Sequence, residues 1–158
     1  MKRILKLVFI GLLVITGIYL FLPGPAFPEP PPGSLISSEP ADIESVYRKA
    51  YYTNLSRSEI MKYYKNEFNA PLQFGLNHPP EDATEIIRDQ TRSNYLEELV
   101  HPWKESLFVN GFTPDKPQDI MVRDNKIYAS KITIRFVPST PAQRLTVLFM
   151  VAAICLLI

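Results

Sequence analysis

From Ile4 to Leu22 the chain reads ILKLVFIGLLVITGIYLFL, nineteen residues in which Lys6 is the only charge. As an α-helix rising 1.5 Å per residue, this run is roughly 28 Å long, close to the hydrocarbon thickness of a bilayer. Lys6 sits one turn from its end, where the aliphatic stem carries the ammonium back to the headgroups. Lys2, Arg3 and Lys6 precede or open the run, and nothing basic follows it as far as Pro40. The positive-inside rule then puts the N-terminus in the cytoplasm and the following residues outside. Tyr19 and Phe21 fall where an outer aromatic belt is expected. A cleaved signal peptide is the competing reading. The run exceeds a usual h-region, however, and it ends in PGPAFPEPPPG rather than a small-x-small site. The expectation is an uncleaved signal anchor in the plasma membrane.

A second apolar run, Leu145–Ile158, has fourteen residues without charge. That is roughly 21 Å of helix, short for a full crossing. The preceding VPSTPAQR is polar, and no basic residue follows. An incomplete chain, a half-span packed on another helix and a short second anchor all fit. A buried core helix fits by length, but LTVLFMVAAICLLI is apolar on every face, which favours membrane embedding. Cys155 within it reads as a small apolar residue.

These ends change how the composition reads. The 158 residues are 46% hydrophobic and 21% charged with a formal net charge of +1, which resembles a soluble protein only because two compositions are averaged. Three of the basic residues lie in the first six positions, leaving fourteen against sixteen acids, or −2, for the rest. Neither value suggests nucleic acid as a partner. A single cysteine excludes an internal disulfide.

The expected organisation is an anchor at 1–22, a spacer at 23–40, a domain at 41–138, a linker at 139–144 and the embedded segment at 145–158. The spacer has seven prolines in eighteen positions, a density that favours extended polyproline II. PxxP recognition is the alternative, carried only by a very common pattern. In the domain, Glu44–Thr53 reads as a strand. Ser56-Arg57-Ser58-Glu59 is a capping box opening an amphipathic helix from Arg57 to Phe68. LQFGL is a short strand. His78-Pro79-Pro80-Glu81-Asp82 opens a second helix that His101-Pro102 closes. Glu105–Phe112 is a strand. Ile120–Arg123 and Lys126–Val137 form a hairpin about Asp124-Asn125. Tyr128, Ile132, Ile134 and Phe136 share one face of its second arm and Lys131, Thr133 and Arg135 the other, the pattern of an antiparallel sheet with one wet face. The fold class expected is α+β: a small antiparallel sheet with two helices on one face, in the order β-α-β-α-β-β-β, flanked by transmembrane segments.

Candidate chemistry centres on seven consecutive polar residues, Arg88 to Asn94. Arg88, Asp89, Gln90 and Arg92 are the candidate ligand-binding residues, with the two arginines one helical turn apart to hold an anion. The plainer reading is solvated i, i+3 ion pairs, Glu85–Arg88 and Asp89–Arg92. Tyr95 and Trp103 are the candidate interaction residues, since aromatic surfaces suit protein or carbohydrate partners. Glu97 and His101, i and i+4 on a helix, fall short of a metal site, which needs three ligands. No GxSxG context, glycine-rich phosphate loop or nucleophilic cysteine accompanies them. No catalytic residue, metal or cofactor is therefore expected. The leading expectation is a non-enzymatic, membrane-anchored extracytoplasmic domain, residues 23–144, partnered by the lipid bilayer and by a membrane or envelope protein. A module binding an anion or envelope polymer through 88–94 is the alternative, and a hydrolase using His101 with Glu97 or Glu98 is the third.

Overall fold

The computed structural model describes residues 2–87 and 92–157. In chain order the elements are α1 (Lys2–Phe21), β1 (Leu35–Ile36), β2 (Arg48–Thr53), α2 (Arg57–Glu67), β3 (Phe74–His78), α3 (Ala83–Ile86), β4 (Tyr95–Val100), β5 (Ser106–Phe112), β6 (Met121–Arg123), β7 (Lys126–Tyr128), β8 (Ser130–Val137) and α4 (Pro141–Leu157). They form two compact units, one of residues 1–24 with 138–158 and one of residues 25–137.

In the first unit, Arg3–Phe21 is long and apolar enough to cross a membrane, and α4 is a shorter apolar helix. This second helix starts four residues before the apolar run, because Thr140 and Gln143 make a reciprocal cap. The Gln143 amide donates to Thr140 Oγ1 at 3.3 Å, and the Thr140 amide donates to Gln143 Oε1 at 2.9 Å. Pro141 then takes the first helical position, where its missing N–H costs nothing. Arg144, read from sequence as part of a polar boundary, is buried. Its Nη1 donates to the carbonyls of Leu20 at 3.1 Å and Leu22 at 3.2 Å, at the end of α1. Its Nη2 and Nε hold the Ser139 carbonyl and hydroxyl at 2.7 and 2.9 Å. The guanidinium thus satisfies α1 carbonyls that lack an intrahelical donor. From that tie α4 runs back antiparallel to α1, with Leu148 against Gly17.

The second unit is a six-stranded antiparallel sheet in the order β1-β2-β8-β5-β4-β3, with β6 and β7 as a separate hairpin. Both faces are covered. On the first lie Tyr51, Ile132, Ile134, Leu107, Val109, Tyr95 and Leu99, packed against Ile60, Met61, Tyr64 and Phe68 of α2 and its C-cap. The capping box at the start of α2 is present as expected, with both reciprocal bonds formed. On the second face, Leu96 packs with Ala83 and Ile87, and Tyr52 packs with Met121 and Tyr128 from the hairpin.

The mixed α/β, antiparallel character matches expectation, but three elements differ. First, 79–101 is not one helix. A short 3-10 turn and α3 end at Ile86, and 95–100 is strand β4, paired with both β3 and β5. YLEELV imitates a helix because this strand is buried on both faces, so its apolar residues do not alternate. The two helices therefore do not share one face: α2 covers the first and α3 the second. Second, the hairpin arm breaks at Ala129, whose amide donates to Asn54 Oδ1 at 2.7 Å. Tyr128 consequently packs with Tyr52, not with Ile132. The turn itself is as expected, with Asp124 and Asn125 at φ 49 and 60°, the backbone of a two-residue hairpin. Third, residues 25–37, read above as a spacer, lie along the domain. Phe27 stands edge-on to Phe136 at 6.0 Å, the Tyr63 hydroxyl donates to the Pro30 carbonyl at 3.1 Å, and the Ser37 amide donates to the Ala50 carbonyl at 2.9 Å.

Two core features make predictions. The hydroxyls of Tyr51, Tyr64 and Tyr95 are buried beneath α2 without a hydrogen-bond partner. Burial pushes the Tyr51 phenol up to about 12 and raises those of Tyr64 and Tyr95 further. Gly111 sits under the Tyr95 ring, its cross-strand partner, where any Cβ would overlap the ring. Tyr64→Phe is expected to raise stability by about 1 kcal/mol by deleting an unsatisfied buried hydroxyl. Gly111→Ala is expected to lower it by about 1–3 kcal/mol through overpacking. Denaturant titration of the full chain in detergent checks both.

Candidate functional site

The two covers on the second face leave a gap between them. It is a cleft of about 450 Å³, reached from strands β2, β5 and β8, from the segment 39–42 and from 118–123. Its sheet side carries Asn110 and Thr133, directly paired across β5 and β8, with Arg48 on the neighbouring strand β2. Strict alternation accounts for this. Lys131, Thr133 and Arg135 point to the second face precisely opposite in parity to Ile132 and Ile134, so the wet face expected from sequence forms part of a cleft.

One boundary is fixed by ion pairs. Lys131 Nζ lies 2.6 Å from Asp42 and 2.8 Å from Glu39. The Ser37 hydroxyl donates to Asp42 at 2.6 Å, and Arg123 Nη2 donates to Glu39 at 2.8 Å. The Tyr52 hydroxyl also donates to Glu39. The Lys131 bond, then the Tyr52 and Arg123 bonds, outweigh burial and hold the Glu39 carboxyl down to about 2. For Lys131, burial opposes the charge, but the bonds to Asp42 and Glu39 prevail and raise its pKa. Among the described residues, three carboxylates border the cleft, and each has a cationic partner: Glu39 and Asp42 as above, and Asp119 with Arg92 at 3.5 Å.

Arg48 differs from these cations. It is only 9% exposed, its Nε has no hydrogen-bond partner, and among the described residues its one ion pair is to the exposed Glu44 at 3.8 Å. Its cross-strand neighbour on the same face is Arg135, so two like charges stand directly opposite each other.

Of the residues singled out from sequence, Arg92 reaches the rim of this cleft, with its side chain 72% exposed. Arg88, Asp89 and Gln90 lie outside the described residues. Ser93 and Asn94 secure the start of β4 to β5: Asn110 donates to the Ser93 hydroxyl, and the Asn94 amide donates to the Gly111 carbonyl at 2.6 Å. Tyr95 is buried, with the Arg57 guanidinium 4.8 Å from its ring centre. Trp103 is 76% exposed in the β4–β5 turn, with φ at 58°. Glu97 and Glu98 point to opposite faces of β4. Arg57 holds Glu97 at 2.5 Å, and His78 holds Glu98 at 3.1 Å. His101 is buried against Phe68, with Nε2 donating to the Phe68 carbonyl at 2.9 Å. The structure does not bring His101 and either glutamate into one cleft.

Sequence reasoning missed Arg48, although a signal was present. In RKAYYT it shares strand parity with Ala50 and Tyr52, both buried, so a charge stood in a buried row. Comparison with known proteins finds no matching family model, no matching curated protein and no matching solved structure.

The depressed Glu39 carboxyl fixes a pH dependence. A carboxyl whose pKa is lower in the folded state adds stability above its ordinary value, and that stability is lost as pH falls through the folded value. Glu39 therefore contributes fully above about 4.5 and loses its contribution as pH drops towards about 2. In Glu39→Gln the acid limb of the melting-temperature profile over that window is expected to flatten, as measured by scanning fluorimetry.

Proposed function

We propose that this chain is a non-enzymatic, membrane-anchored binding protein: α1 serves as an uncleaved signal anchor in the plasma membrane, and residues 25–137 form an extracytoplasmic domain that takes a ligand in the second-face cleft. The observation carrying this reading is the polar sheet surface within the cleft. β5 and β8 are the two central strands of the sheet, where a domain built only for stability would bury apolar side chains under a continuous cover. Asn110 and Thr133 stand there instead, beside a gap large enough for a small organic molecule. The absence of catalysis is supported by the chemistry at the border. Among the described residues its three carboxylates are all engaged in ion pairs, and both histidines are held elsewhere by Glu98 and Phe68.

Orientation follows from Lys2, Arg3 and Lys6 before the apolar core of α1, with no basic residue between Leu22 and Pro40. A second reading, a structural subunit of a membrane or envelope assembly, is favoured by β3. This edge strand of the sheet has no charged residue besides its terminal histidine, and it exposes Phe74 and Leu76 on one face. Such an edge can accept another strand.

Both parts are tested in one set of cells. In a Cys155→Ser background, Ser45→Cys is expected to react with a membrane-impermeant maleimide in intact cells; reaction only after lysis contradicts the orientation. A photoreactive residue at Gln118, on the cleft border, is expected to form an adduct in native membranes. The same group at Lys62, exposed on α2, is expected to form none. Equal labelling from both positions, or none from Gln118, contradicts the cleft as the binding surface.

A further inference from the structure

We propose that the cleft is a site for a monocarboxylate carrying an apolar body, with Arg48 as the residue that receives the carboxylate. The proposal rests on the reading of the cleft as a ligand site and names the ligand's chemistry. Among the described residues, four cations border the cleft, Arg48, Arg92, Arg123 and Lys131, against three carboxylates, Glu39, Asp42 and Asp119. The ion pairs assign one surplus positive charge, and geometry places it on Arg48. Arg123 and Lys131 are bonded to Glu39 or Asp42, and Arg92 is paired with Asp119.

An arginine whose side chain is only 10% exposed and whose Nε is enclosed without a partner is costly in a folded protein, because it is desolvated with little compensation. Glu44 does not supply that compensation. It is 67% exposed and lies 3.8 Å from Nη1, beyond hydrogen-bonding distance. Arg135, opposite Arg48 in the strand register, adds repulsion rather than relief. The Nε is enclosed, so an oxyanion in the cleft would meet the guanidinium through its Nη groups and supply the charge-assisted partner that Glu44 does not.

The rest of the lining selects among oxyanions. One surplus charge matches a monoanion, whereas a phosphate dianion would bring a second negative charge beside Glu39, Asp42 and Asp119. Phe112, Ile120 and Met121 border the same space, offering apolar contact to a short hydrocarbon body. Asn110 and Thr133 are the polar groups nearest in register to hold the carboxylate's second oxygen or a substituent next to it.

The experiment uses the full chain in a non-ionic detergent, with hexanoate, hexanol and inorganic phosphate as probes. Binding is followed by amide chemical shifts and by melting temperature. Hexanoate is expected to saturate, to shift the amides of 108–112 and 131–133, and to raise the melting temperature, while hexanol and phosphate do neither. Arg48→Met is expected to weaken hexanoate at least about tenfold, the effect of losing a charge-assisted hydrogen bond. The same variant is expected to melt higher than the parent without ligand, since an uncompensated buried charge has gone; a purely structural Arg48 would give a lower melting point. Arg92→Gln, at an exposed position that folding does not need, is expected to weaken hexanoate by a smaller factor. Phosphate binding in preference to hexanoate would overturn the monocarboxylate assignment, and so would hexanoate binding unchanged in Arg48→Met. A Gln118 adduct without hexanoate binding would leave the cleft as a binding surface and overturn only this ligand chemistry.

Discussion

The second face of the sheet depends on Lys131. Its ammonium emerges from a central strand and binds Asp42 and Glu39 at 2.6 and 2.8 Å, which pins the 39–42 turn over strands that would otherwise face water. Glu39 then extends the tie to Tyr52 and to Arg123 of the β6–β7 hairpin. A single buried pair is weak evidence for stability, because desolvation offsets much of its Coulombic gain. Its value here is positional. It sets where the cover stops, and so it sets one boundary of the cleft.

The first face obeys a different physics. There α2 is held mainly by apolar contact, with the Arg57–Glu97 ion pair at its start, and three tyrosine rings contribute area while their hydroxyls remain without partners. Burying a ring offsets the cost of an unsatisfied hydroxyl, since aromatic side chains remove the largest areas from water. The contrast between an apolar face and a face tied by charges goes with the polar lining of the cleft on the second face. The helical pair of the other unit again uses charge for position: Arg144 closes the carbonyl end of α1.

Much of this was legible where the signal is local. The capping box at Ser56–Glu59, the Asp124-Asn125 turn and the alternation in KITIRF each follow from residues a few positions apart, and the structure has all three. What failed was a strand buried twice over. Tyr95 and Leu99 face α2 while Leu96 faces α3, so the run carries no period of two and reads as a helix. α3 ends at Ile86 before the polar run and β4 begins at Tyr95 after it. Phe27 was hidden by its prolines, which promised an extended segment without saying that it would pack. The cleft could not be read from sequence at all, because it gathers residues 39–42, 48, 110, 118–123 and 131–133, and only strand order brings them together. Arg48 alone left a trace, as a charge in a buried row.

The central claim is that Arg48 is a receptor for an anion that enters between the two covers. Its most direct test is a crystal structure of the full chain grown with a bromine-labelled hexanoate, with the bromine located by anomalous scattering. The account predicts the carboxylate on the Arg48 guanidinium and the bromine among Phe112, Ile120 and Met121. A bromine found only outside the cleft, with no carboxylate on Arg48, would contradict it.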